Sequence, residues 1–207
     1  MSRLQNYRNS RLIRNILDTY EFVYFGNIDK DDEYMPIHGI TASVSHKDRN
    51  FSAGTVDKYN IRVVNREDKY TINKSKIVFN QIIIEISLKK FVATNPTLIL
   101  EAGHDSVQIN LLKKMTSHHH ILPSEKTDEI HEFHSRYRVY CHNYTDTPYD
   151  SWLDLETQQV LSTHSWPFSF ELDNKGKLYV YISDKLKEIE FERALKIGVW
   201  LADKLDS

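Results

Sequence analysis

Cysteine is nearly absent from this 207-residue chain. Cys141 stands alone, so no internal disulfide can form and a disulfide-stapled secreted scaffold is excluded; a reducing, cytoplasmic setting is expected. Glycine is scarce as well, at six residues, and no two are spaced to make GxGxxG or a Walker loop. Without them the backbone cannot approach a pyrophosphate, which excludes nucleotide sites of those kinds. An excess of one charge is lacking too: 27 basic against 29 acidic residues give −2 with histidine neutral. A nucleic-acid binder that relies on global charge carries a clear positive excess, so DNA is excluded as a partner. Apolar runs such as Ile82-Ile83-Ile84 fall far short of the roughly 20 residues a spanning helix needs. The opening segment, Met1 to Arg8, has no apolar signal core.

What is present builds a core. Hydrophobic residues make up 40% of the chain, with 12 Tyr, 9 Phe and 3 Trp, enough to exclude wholesale disorder. The length fits one domain spanning 1–207. In the first twenty residues Leu12, Ile13, Ile16, Leu17 and Tyr20 share one side of a helix, with Arg3, Arg11 and Arg14 opposite. The spacing predicts about three turns, capped by Asn9 or Ser10 and preceded by a loose tail. An acidic loop containing Asp29, Asp31, Asp32 and Glu33 follows.

From Gly39 the period becomes two. Alternation predicts strands over 40–45, 51–56 and 61–64, the latter two joined by a turn at Asp57-Lys58-Tyr59-Asn60. The strongest strand runs from Ile77 to Leu88, with Ile82, Ile84 and Ile86 on one face and Ile83 on the other, a central position covered on both sides. A short strand is expected at Thr97 to Glu101, a helix from Asp105 to Met115, and a polar loop over 116–129. A short helix through Phe133 and a strand from Arg136 to His142 follow, then a helix starting at Thr147-Pro148 and running to about Leu161. Phe168 to Leu172 and Leu178 to Ile182 flank the turn Asp173-Asn174-Lys175-Gly176 as a hairpin. Phe191, Ala194, Leu195, Gly198, Leu201, Ala202 and Leu205 repeat at helical spacing. The expected fold class is α+β, an antiparallel sheet packed by N- and C-terminal helices.

Candidate chemistry is sparse. His118, His119 and His120 sit in the predicted loop, and His131 and His134 stand three apart, so His118, His120, His131 and His134 are weak metal candidates. No HExxH and no thiolate pair accompanies them, and no cofactor is expected. His104-Asp105 ends a strand and reads as a turn with a helix cap, while His164 lies beside Ser162, Ser165 and Trp166; both are weak catalytic candidates. Cys141 and His142, adjacent on a strand, point to opposite faces and cannot form a thiolate pair. Asp31, Asp32 and Glu33 lack the glycine and distal glutamate of a calcium loop. Tyr137, Tyr140, Tyr179 and Tyr181 on strands suggest base stacking, but the RNP consensus is missing and RNA is disfavoured. Arg11 and Arg14 offer a face for anionic lipid, with core docking of the same helix the more economical reading. The last helix carries Ile197, Val199 and Trp200 beyond its core stripe, which needs either a second covering layer or a partner interface, a homodimer included, centred on Trp200.

At Thr163 to Glu171, Leu178 to Tyr181 and Ile197 to Ala202 the chain resembles an uncharacterised family of hypothetical proteins encoded by small-genome, host-dependent Saccharibacteria. Tyr24-Phe25-Gly26 and Tyr59 to Arg66 are similar too. The resemblance implies a soluble bacterial protein of unknown function and transfers no catalytic residue. Residues and resemblance together favour a non-catalytic protein- or ligand-interaction module. The alternatives are a hydrolase-like enzyme with a histidine-centred site and peripheral membrane association through the basic N-terminal helix.

Overall fold

A computed structural model describes residues 3–28, 37, 46–72, 74–91, 93, 96–101, 119–121, 131–141, 152–163, 168–183 and 188–207. In chain order these form α1 (Arg3–Thr19), β1 (Val23–Ile28), β2 (His46–Val56), β3 (Tyr59–Ile72), β4 (Ser75–Ser87), β5 (Thr97–Glu101) and β6 (His119–Ile121). The chain continues through α2 (His131–Arg136), β7 (Tyr137–Cys141), α3 (Leu155–Thr163), β8 (Ser169–Leu172), β9 (Lys177–Ser183) and α4 (Glu188–Leu205). The strands join edge to edge in one sheet of order β1-β2-β3-β4-β9-β8-β5-β7-β6, every described pairing antiparallel. The α+β class with terminal helices is thus observed.

One face of the sheet holds the main core. Tyr59, Ile61 and Val63 of β3 line up with Ile82, Ile84 and Ile86 of β4 and with Leu178, Val180 and Ile182 of β9. The helices pack over them. Ile13, Ile16 and Leu17 of α1, spaced by three and four, are buried there, as are Phe191, Ala194, Leu195, Leu201, Ala202 and Leu205 of α4. Gly198 lets α4 lie close to the sheet, because a Cβ there would stand 2.7 Å from Ile86 Cδ1 and 3.0 Å from Val180 Cγ2.

Local chemistry sets the element ends, and several differ from expectation. α1 begins at Arg3, so Ser10 sits inside the helix and donates to Asn50 Oδ1 at 2.9 Å instead of capping it. The helix stops where Glu21 turns left-handed at φ 56° and the Phe22 and Glu21 amides reach the Leu17 and Asp18 carbonyls, a Schellman closure. Val23–Ile28 is an edge strand in a stretch where no strand is expected. β3 runs on through Asn65-Arg66-Glu67-Asp68-Lys69, where Arg66 and Glu67 pair with Asp48 and Arg49 of β2 and Lys69 pairs with Glu67 beside it. α3 starts at Leu155, where the Asp154 carboxylate accepts the Thr157 amide at 2.9 Å and caps the helix; the start expected at Thr147-Pro148 lies outside the described residues. Residues 119–121, expected in a loop, form the short strand β6 against β7. The acidic loop residues Asp29, Asp31, Asp32 and Glu33, the strand expected at 40–45, the helix from Asp105 to Met115 and loop residues 122–129 lie outside the described residues.

Candidate functional site

The second face of the sheet is polar where the first is oily. Strand alternation places Arg62, Val64, Arg66 and Asp68 of β3 on it, opposite Glu85, Ile83 and Gln81 of β4. Register carries one row across all nine strands: Val23, Ala53, Arg62, Glu85, Tyr179, Glu171, Leu98, Tyr140 and His120. A smaller apolar cluster of Ile37, Phe51, Val64, Ile83, Tyr179 and Tyr181 sits among the charges.

These charges are buried and committed to one another. Arg66, with none of its surface exposed, donates from Nε and Nη2 to Asp48 Oδ1 and Oδ2 at 2.7 and 2.6 Å, and Nη2 also reaches the Ile37 carbonyl. Burial works against the guanidinium charge, but the Asp48 bonds and the charges of Asp48, Asp68 and Tyr181 outweigh it and raise the Arg66 pKa. His46 lies 3.8 Å from Asp48 Oδ2, and Gln81 Nε2 is 3.4 Å from Asp68 Oδ2. Along the row Arg62 Nε donates to Glu85 Oε1 at 2.7 Å, with Lys177 Nζ 3.9 Å from the same oxygen. Glu85 is 1% exposed, and its Oε2 has no hydrogen-bond partner among the described residues.

Aromatic hydroxyls complete the layer. Tyr179 donates to Asp173 Oδ2 at 3.1 Å, and Tyr181 donates to Glu171 Oε2. The two rings stack with centroids 6.4 Å apart. Burial first, then the charges of Glu85, Asp173 and Glu171, drive the Tyr179 phenol far above its ordinary value, so it stays protonated and acts as a donor. Chemically, the layer holds fixed charges in bidentate and short hydrogen bonds, each acid facing its own donor.

The sequence-predicted candidates are placed only in part. His104, Asp105, His118 and His164 lie outside the described residues. His120 occupies β6 opposite Tyr140, His131 opens α2, and His134 sits edge-on to the Phe133 ring at 5.2 Å. Among the described residues no three of His, Cys, Asp or Glu gather to hold a metal. Arg11 and Arg14 of α1 face solvent, Arg14 with its guanidinium carbon 4.1 Å from the centre of the Tyr24 ring. Ile197 is buried in the core, while Trp200 is half-buried beneath Lys204 Nζ at 5.7 Å. The paired layer on β2, β3, β4 and β9 escaped the sequence reading, although Gln81 and Glu85 interrupting an isoleucine run was a visible signal of it.

Comparison with solved structures finds a likeness to the mycobacterial trehalose monomycolate transport factor A, TtfA, at 10% identity and a TM-score of 0.60, covering 95% of this chain and 93% of that one. The fold is therefore shared over nearly the full length of both. No family model and no curated protein matches the chain.

Proposed function

We propose that this chain is a non-catalytic interaction module that serves a transport process by holding a partner, with its polar residues spent on architecture. The observation that carries the reading is the pairing on the second face: Arg66 with Asp48, Arg62 with Glu85, Tyr179 with Asp173 and Tyr181 with Glu171. Groups tied to one another in this way hold strands together, whereas an acid–base catalyst needs a group aimed at a substrate. The fold shared with a protein named as a transport factor supports the same reading. No helix among the described residues is long and apolar enough to cross a membrane.

The test has two arms. The full chain is assayed against chromogenic carboxylic and phosphate esters, and it is purified from its host under gentle cross-linking. A partner recovered at fixed stoichiometry, with no ester turnover, is the expected result. Turnover that disappears in His164→Ala or His104→Ala overturns the proposal and establishes the hydrolase alternative.

A further inference from the structure

The oily rows of the first face end on amides. On β3 the core-facing positions run Tyr59, Ile61, Val63 and then Asn65; on β4 they run Ile86, Ile84, Ile82 and then Asn80. An unbroken register sets Asn65 opposite Ile82 and Asn80 opposite Glu67, so the two asparagines are diagonal neighbours on one face. Asn65 is 3% exposed and Asn80 is half-buried. One step beyond Asn80 on the same face stands Val78, 48% exposed, so the pair sits between the sealed core and solvent.

The two amides are incomplete in complementary ways. Among the described residues Asn65 Nδ2 has no acceptor and Asn80 Oδ1 has no donor, and both atoms are buried. Folded proteins seldom leave such atoms unmatched. A donor and an acceptor side by side call for one group that accepts from the first and donates to the second. Net charge is not what this place offers: Glu67, next to Asn80 across the strands, is already matched by Arg49 at 3.7 Å and Lys69 at 3.3 Å. A carboxylate would answer only the Asn65 N–H, and an ammonium only the Asn80 carbonyl. A hydroxyl answers both from a single atom, about 2.9 Å from Nδ2 and about 2.8 Å from Oδ1.

We infer that Asn65 and Asn80 form a receptor for one hydroxyl group at the rim of the main core, filled by an ordered water or by a hydroxyl of a small neutral polyol. Buried Ile82 beside Asn65 supplies carbon surface for the carbon skeleton of a polyol, and the Val78 side supplies the approach. The pair lies on the opposite face from the ion-paired layer and is read without partner or substrate. Its failure and that of the non-catalytic reading are therefore distinguishable.

Crystals of the full chain, before and after soaking in glycerol, test the assignment. Before soaking, an oxygen bonded to both Asn65 Nδ2 and Asn80 Oδ1 is expected. A glycerol hydroxyl in its place afterwards assigns the receptor to polyols; an oxygen that glycerol leaves unchanged assigns it to water. Stability gives a second readout. Asn65→Ala and Asn80→Ala should each lower the urea midpoint, and the double variant should lower it by less than the sum of the two shifts, because either change alone strands the other amide. Two amides bonded directly to each other, no oxygen between them, or strictly additive shifts overturn the proposal. The crystals use the parent chain, so the answer stands even if a variant fails to fold.

Discussion

Arg66 carries its charge with no exposed surface, held by two short bonds to Asp48. Removing one member of such a pair strands the other, so Arg66→Met alone should cost about 3–5 kcal/mol, while Arg66→Met with Asp48→Leu should recover much of that loss. Urea midpoints of the two variants decide it. At the other end of the chain the buried Asp206 carboxylate accepts the amides of Lys89, Lys90 and Phe91 at 2.8, 2.9 and 2.9 Å. Burial alone would raise its pKa, but those amide bonds, with a further contribution from Tyr59, outweigh it and hold the value below 3.8. Because the folded pKa is depressed, the stabilisation is complete above the unfolded value and is lost as pH falls through the folded one. Asp206→Asn should therefore cost roughly 1–3 kcal/mol at pH 6, and the gap from the parent should shrink as pH is lowered past 3.8. Gly54 offers a steric counterpart: a Cβ there would stand 2.4–2.8 Å from Phe22 ring atoms, so Gly54→Ala should destabilise by about 1–3 kcal/mol.

Elements differ in how openly the sequence announces them. The β8–β9 hairpin and α4 were legible because each combines unbroken apolar periodicity with a nearby stop signal; Asp173 Oδ1 accepts the Lys175 and Lys177 amides at 2.8 and 2.7 Å to shape the turn. β1 was not, since Val23-Tyr24-Phe25 is brief and its burial alternates only weakly. The distal half of β3 was not foreseen because Arg66, Glu67, Asp68 and Lys69 are all charged and break the apolar alternation, and Arg66 and Glu67 meet Asp48 and Arg49 only through cross-strand register. The candidate layer was hidden for the same reason: Asp48 and Arg66 meet by pairing, not by any spacing along the chain. At α3 the cap is Asp154, whose side chain accepts the Thr157 amide, a signal the sequence reading passed over. Asp154→Ala should cost about 1 kcal/mol, read as a lower melting temperature with α3 the first element to lose amide-exchange protection.

At the scale of the molecule the sheet has two halves. β1, β2 and β3 pair only with strands near in sequence, and the other half is joined to them where β4 meets β9, for example Ile82 with Ile182. α4 lies over that junction, with Gly198 placed between Ile86 and Val180. Contacts so distant in sequence form late in folding. Val180→Ala, at the junction, should therefore accelerate unfolding with little change in the refolding rate, whereas Val63→Ala, within the local meander, should slow refolding; stopped-flow fluorescence separates the two.

The same junction matters during synthesis. β4 emerges from the ribosome with its β9-facing edge unpaired, and at ~5–20 residues per second its neighbour follows only after roughly 5–20 s. For that interval an isoleucine-rich edge is open to any passing strand, its own siblings on the same polysome included. Holdase chaperones should thus matter more to the yield of this chain than its finished fold would suggest.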